Sequence, residues 1–485
     1  MLKTFFRDSA VYGLAKLLTG GLTLLALPIY THALAPKDYG VVDLLTSLAT
    51  VAHVTVAFEI AQGMGRHVMS PEGEAARERY ASTALWFTLA SYSIFAAGMM
   101  PLAGLMSRLL FGSEDNATVV RVATLVIWST GLFNIVQNLL RYSRLAPKFA
   151  MVSILFTVTN VGVTLVMLLV LHAGLVALFI GQFIAGCTAL CLGLYFARGS
   201  IRMIFDRARC REMLRFSIPL VPSGIGVMLC MYVDRFAVLK LLTVADLGLY
   251  GVAFRCSTVV AIVVAGFDAA LAPLVYQKHH LPETPAQLAR MFRWFLALAA
   301  PLLLFLGFFA SVLVSIVAPP SYAGASKLVF MLSTSMLVAN LYNFSPGLWI
   351  AKKTTWVAMI SVGSGLLNLV LNFVFIPRIG LVGAALGTLL SAIVAGLAHF
   401  VFGRRFYPVP FEWPRLAGAI ALASFAGLLG VFGNLGLVAR AVSWIVFSVT
   451  TSGVLLGGPD LRLIRDTVLT RLKRRAAVVG DEAES

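Results

Sequence analysis

"MYVDRFAVLKLLTVADLGLYGVAFR", residues 231–255, decides how the chain is read. A long apolar stretch ends on an acid and a base side by side, Asp234 and Arg235. After a short turn, the next apolar stretch carries Arg255. Charges are costly in hydrocarbon, and they persist where they pair, line a wet cavity or perform a task. Two questions follow: whether these stretches are membrane spans among many, and what the charges meet.

The 485 residues are 59% hydrophobic and 12% charged, against roughly 45–50% and about 25% in soluble domains. Apolar runs of about 20 residues, enough to cross a ~30 Å hydrocarbon core as helix, recur along the whole chain. A barrel would instead show alternating segments of about 10 residues. The expectation is an all-α polytopic membrane protein with fourteen spans: 10–34, 41–62, 81–105, 120–140, 149–171, 174–196, 216–239, 247–272, 294–316, 326–348, 354–375, 380–402, 416–433 and 437–456. The opening MLKTFFRDSA lacks a short apolar core followed by a small-residue cleavage site, so the first span is expected to be retained.

The basic residues test this count. Of 38 Lys and Arg, 28 fall in loops assigned to the inside, 7 in outer loops and adjoining span ends, and three within spans: Lys16, Arg235 and Arg255. This split follows the positive-inside rule and places both termini in the cytoplasm. It also accounts for the net charge of +17, which suits anionic lipid headgroups and excludes nucleic acid as the partner. The most basic stretch, "RLIRDTVLTRLKRR", reads as a surface helix on the inner leaflet. Five cysteines are present; Cys187 and Cys191, four apart on one helical face, have no second pair at metal-ligand spacing and read as packing residues. No resident cofactor or metal is expected.

The outer loops are short, and the longest inner loop, "ARGSIRMIFDRARCREMLRF", divides the first twelve helices evenly. Across that division "LAPKDYGVVDLL" from Leu34 aligns without gaps on "LTVADLGLYGVAF" from Leu242, pairing Asp38 with Asp246 and Gly40 with Gly248 at an offset of 208. An even number of helices intervenes, so the halves are parallel repeats about an axis along the membrane normal. Expected boundaries are 1–197 for the N-lobe, 198–215 for a cytoplasmic linker, 216–403 for the C-lobe, 404–458 for two further helices and 459–485 for a basic tail. Asp38 and Asp246 precede new helices and read as caps.

"DRFAVLKLLTVADLGLYGVAFR" resembles the seventh-to-eighth helix signature of bacterial polysaccharide biosynthesis flippases, and "LALPIYTHALAPKDYGVVDLLTSL" resembles their first-to-second helix junction. That family belongs to the multidrug, oligosaccharidyl-lipid and polysaccharide exporter superfamily. The resemblance implies two six-helix lobes around a central cavity that opens alternately to each side of the bacterial cytoplasmic membrane. It implies as substrate an oligosaccharide on a polyprenyl pyrophosphate, with polysaccharide polymerase or export proteins as possible partners besides the membrane lipids.

Such a cargo has an anionic pyrophosphate, a hydroxyl-rich head and a long apolar tail. Arg255, near mid-depth in the eighth span, matches the family's basic residue there and is the first candidate for binding it; the bland alternative is a partner for Asp268 or Asp234. Lys16, Arg66 and Arg235 are further substrate-binding candidates, although Lys16 equally suits an ion pair with Glu59, and Arg66 suits snorkelling. Asp234 and Arg235 point about 100° apart on a helix, so anchoring at the interface competes with gating. Glu59, Asp268, Asp43 and Asp234 are the candidates for coupling to protons or Na⁺. Asn134, Gln137 and Asn138, with Asn368 and Asn372, are polar cavity candidates whose alternative is helix packing. His53 and His399 lie inside spans and read first as packing residues.

No catalytic residues are proposed. A membrane glycosyltransferase or polymerase would need an acid- or Arg-rich outer loop or a large cytosolic domain, and neither is present. A cation-coupled drug exporter or a peptidoglycan-precursor flippase of the same fold is the closer alternative. The topology has a direct check: single cysteines introduced at Ser113 and Ser321, in a cysteine-free background, should react with an impermeant reagent from outside, and those at Ser200 and Ser485 should not. External labelling at Ser200 would overturn the two-lobe assignment.

Overall fold

A backbone surrounded by lipid has no water to bond, so each apolar run must satisfy its own N–H and C=O groups, as a helix does. The computed structural model describes residues 2–68, 73–143, 145–261, 263, 264, 267, 271, 275, 279–351 and 353–457, and the regular elements among them are all helical. They are α1 (Leu2–Ala33), α2 (Pro36–Thr55), α3 (Ile60–Val68), α4 (Glu74–Phe111), α5 (Ala117–Tyr142), α6 (Ala146–Leu169), α7 (Val176–Ala197), α8 (Arg207–Ser217) and α9 (Val221–Leu241). Next come α10 (Val244–Ser257), α11 (Thr284–Phe308), α12 (Ala310–Val317), α13 (Ser326–Ala339), α14 (Gly347–Ile350), α15 (Thr354–Ile379), α16 (Leu381–Gly403), α17 (Trp413–Phe432) and α18 (Leu437–Leu455).

Among the described residues, ten helical segments are long and apolar enough to cross a membrane, or eleven if α2 and α3, bent by 51°, form one span. The expected count of fourteen is not reached. Helices do occupy the three remaining positions, as α1, α9 and α10. Of these, α10 has only 14 residues, too few to cross alone.

Packing follows the same plan twice. In the first half α1 lies on α6, α6 on α7 and α5 on α7; in the second, α9 lies on α15, α15 on α16 and α13 on α16. Helices α17 and α18 pack on each other and on α11. The linker helix α8 starts at Asp206, whose carboxylate caps the amides of Ala208 and Arg209, and it rests against α3 and α4.

The halves meet where α2 crosses α10, at the end that the basic residues assign to the outside, called the outer end below. A Cβ on Gly40 would lie 1.9 Å from the Val244 carbonyl oxygen, and one on Gly248 would lie 1.9 Å from the Pro36 carbonyl oxygen. The contact is reciprocal at the offset of 208, so these glycines sit on the repeat axis and allow backbones to touch as small residues do in membrane helix pairs. About one helical turn further along, the repeat breaks its own symmetry. Asp43 corresponds to Gly251, and a Cβ there would approach the Asp43 carboxyl carbon to 3.0 Å.

Gly40→Val or Gly248→Val should therefore force the crossing apart and lower the thermal midpoint of the detergent-purified protein by several degrees. Gly98→Ala, where an added Cβ meets nothing within 4 Å, should leave it unchanged. A midpoint unaffected by Gly248→Val would show that the crossing does not hold the halves together.

Candidate functional site

Two polar features occupy the interface of the halves. The first lies just below the glycine crossing. Arg235 of α9 is 2% exposed, Asp234 2% and Asp43 of α2 8%. Arg235 Nε donates to Asp43 Oδ2 at 3.0 Å and Nη1 donates to Asp234 Oδ1 at 3.1 Å. The Tyr250 hydroxyl of α10 donates to the other oxygen of Asp234. The guanidinium also lies over Phe254, at 4.4 Å from the ring centroid, and over Tyr232 at 4.9 Å. Adjacent positions on a helix diverge by about 100°, yet Asp234 and Arg235 join one cluster because the long arginine side chain folds back on its neighbour. Neither is an interfacial anchor.

The second feature is a cavity of about 710 Å³ bounded by α1, α5, α6 and the end of α10. Its walls follow from helical spacing. Ala15, Thr19, Thr23 and Leu27 recur every fourth residue on α1, as do Phe133, Gln137 and Arg141 on α5 and Phe149, Ser153 and Thr157 on α6. Residues four apart stack on one helix face, so each helix presents one continuous stripe. Gln137 Nε2 donates to Ser153 Oγ at 2.8 Å, and Phe133 stacks on Phe156 with centroids 5.1 Å apart. The lining thus mixes aromatic faces with hydroxyl and amide groups.

Arg255 reaches this cavity from α10, half-buried. Its guanidinium lies 5.1 Å from the ring centroid of buried Tyr39, and it meets no carboxylate among the described residues. Asp234, one structural alternative, is bonded to Arg235 and Tyr250 instead; Asp268, the other, lies outside the described residues. Helix α10 ends two residues beyond Arg255, where Thr258 donates from its hydroxyl to the Arg255 carbonyl at 2.6 Å. Helix α2 also breaks before α3, with Phe58 at φ 51° and Glu59 at φ 53°. Interrupted helices at membrane depth are tolerated where they line a cavity or are held by protein.

The other candidates are distributed as follows. Glu59 is half-buried and faces α9, its Oε1 3.4 Å from where a Cβ on Gly224 would stand. Lys16 lies on α1, but its side chain is outside the description. Arg66 is exposed and stacks on Phe216, 4.6 Å from the centroid. Gln137 lines the cavity, whereas Asn138 spends its amide on the Asn134 carbonyl at 2.9 Å and neither asparagine lines the cavity. Buried Asn372 donates to Asn368 at 2.9 Å and sits against Gly387 of α16, so this pair serves helix packing. His53 bridges the hydroxyls of Tyr92, at 3.0 Å, and Thr130, at 3.2 Å. His399 is buried against Tyr342. Asp246 forms a capping box with Thr243; Asp38 makes no side-chain cap, because Ala35 stands where the repeat has Thr243.

Sequence reading passed over the α1 hydroxyls, Ser153, Thr157 and Arg141. The fourfold spacing of polar residues on α1, α5 and α6 was the signal that marks them.

A family model described as polysaccharide biosynthesis protein matches residues 31–327. Among solved structures, an inward-facing multidrug resistance MATE family transporter of the MOP superfamily superposes with a TM-score of 0.68 at 14% identity, over 80% of this chain and 94% of its own. The lipid II flippase MurJ in an inward closed conformation gives 0.68 at 14% identity, over 95% and 100%. An outward-facing MATE transporter gives 0.59 at 12% identity, over 82% and 95%. At these identities the likeness establishes the fold. Curated protein sequences give no match.

The ionic cluster makes a graded forecast. Arg235→Met strands Asp43 and Asp234 together and should cost about 3–5 kcal/mol, whereas Asp43→Asn leaves Arg235 paired with Asp234 and should cost less. Thermal unfolding of the purified full chain reads both. Equal losses would contradict the sharing of one guanidinium by two acids.

Proposed function

The chain belongs to the polysaccharide biosynthesis protein family, a multi-pass membrane protein with the fold of MATE and MurJ, and from that premise we propose that it moves polyprenyl-pyrophosphate-linked oligosaccharide from the inner to the outer leaflet by alternating access. The observation that carries the proposal is the cavity between α1, α5, α6 and α10. It offers Arg255 at mid-depth to a pyrophosphate, hydroxyl and amide groups to sugar hydroxyls, and aromatic faces to sugar rings and the isoprenoid. No carboxylate is among its described lining residues, which favours an anionic cargo over a cationic drug.

The lobes at 1–197 and 216–403 are the bodies that rock, and the state described is closed at its outer end by the α2–α10 crossing. Closer superposition on the inward-facing than on the outward-facing MATE transporter supports that reading. The bacterial cytoplasmic membrane is the location. Cycling needs a second ligand that favours one state, and Asp43, Asp234, Glu59 and Asp268 are the acids assigned to proton or Na⁺ coupling. Arg235, held by two of these acids, acts at the gate rather than on the cargo in this state.

Arginine provides planar, bidentate donation to phosphate, and lysine keeps the charge but loses the fork. In a deletion strain making surface polysaccharide, Arg255→Ala should abolish export and Arg255→Lys should retain a fraction, with both variants present in the membrane at wild-type abundance. Normal polysaccharide from Arg255→Ala would remove Arg255 from the site, and absent protein would assign it a structural role.

A further inference from the structure

We propose that Arg141 is a second anion-binding residue of the cavity, placed to capture the phosphate of an incoming lipid before it reaches Arg255; the proposal rests on the reading of this cavity as the site of an anionic, lipid-linked cargo. Arg141 and Arg255 are the cationic groups among the cavity's described lining residues. Four other arginines at the same end of the bundle hold carboxylates: Arg202 pairs with Glu78, Arg209 with Asp206, and both Arg293 and Arg415 with Glu412. Arg141 has no carboxylate among the described residues and is exposed.

Its guanidinium instead lies on Tyr142, 5.2 Å from the centroid, and Nη2 stands 3.4 Å from the tyrosine hydroxyl. That ring is itself wedged: a Cβ on Gly65 of α3 would come within 2.5 Å of it. A guanidinium laid on a fixed aromatic face loses less freedom when it takes an anion, and keeps its donor edge available.

Depth separates the two arginines. Phe133, Gln137 and Arg141 occupy successive turns of α5, so Arg141 stands about 12 Å from Phe133 along the axis. It is the penultimate residue of that helix, at the level where an inner-leaflet phosphate enters. Arg255 lies inside. An exposed cation at a low-dielectric mouth raises the local concentration of anions and speeds association, and salt weakens the effect. The enclosed arginine is screened less. The stripe therefore runs from a cation at the mouth past Gln137 and Ser153, in a cavity that Arg255 also lines.

The test uses the purified full chain in detergent with radiolabelled farnesyl diphosphate as a short isoprenoid pyrophosphate, and with farnesol and inorganic pyrophosphate as comparison arms. Arg141→Gln should weaken farnesyl diphosphate binding about tenfold at low salt, the loss shrinking to about twofold near 0.5 M salt. Arg141→Lys should restore most of it, and farnesol binding should not change. If Arg141→Gln is not recovered from membranes, Arg141→Met carries the same comparison. Wild-type affinity in Arg141→Gln, a loss that salt does not reduce, or failure of lysine to rescue would overturn the capture role and leave Arg141 as packing for Tyr142. Inorganic pyrophosphate bound as tightly as the isoprenoid form would overturn capture of a lipid. If the wild-type chain binds no farnesyl diphosphate, the reading of the cavity fails, and capture with it; binding that ignores Arg141 defeats only the latter.

Discussion

The outer end of this molecule depends on one guanidinium shared between carboxylates of two helices. Removing an ion from water costs several kcal/mol even after relaxation. Arg235 offsets that cost through Asp43 and Asp234, while Phe254 and Tyr232 cover its faces. The remaining acceptor on Asp234 is satisfied by the Tyr250 hydroxyl. Three helices, α2, α9 and α10, thus contribute to one cluster: parting α2 from α9 strands Asp43, and withdrawing α10 leaves an Asp234 oxygen without its hydroxyl donor. A buried pair of this kind adds little net stability, but removing one partner is costly because the other charge is left uncompensated.

Register is what the cavity requires. The crossing of α2 and α10 at Gly40 and Gly248 sets the position of the α10 segment that follows, and with it Arg255. Tyr39, on α2 and wholly buried, then supplies the ring beneath the Arg255 guanidinium. Asp43 occupies the volume opposite Gly251, so the repeat keeps an acid on one side of its axis and a glycine on the other. A second carboxylate there would face the first across a gap with no room for either. The two halves share packing, and their chemistry diverges where they touch.

Fold alone does not assign cargo. The same architecture is found here, in a multidrug transporter and in a lipid II flippase, and the cavity lining is where such proteins must differ. In this chain the described lining pairs arginines with hydroxyls and stacked phenylalanines. Both α2 and α10 are interrupted, and at the end of α10 the Arg255 carbonyl accepts from both the backbone N–H and the hydroxyl of Thr258.

Helical class, the repeat at an offset of 208 and the importance of residues 231–255 were legible in the sequence, because hydropathy, positive-inside charge and local turn chemistry are carried by neighbouring residues. The Asp246 cap and the position of Arg255 were legible for the same reason. Partners were not. Asp43 and Arg235 are 192 positions apart, and nothing local states that they meet; the side chains at 234 and 235 leave the helix about 100° apart, and only the fold-back of the arginine joins them. Asn368 and Asn372 looked like cavity residues and bond each other, while Arg141 looked like one loop charge among 28 and lines the cavity. A helix's sequence determines which residues share a face. Only the packing of α1, α5, α6 and α10 decides whether that face meets lipid, another helix or a cavity, because burial is a property of neighbours brought together by the whole fold.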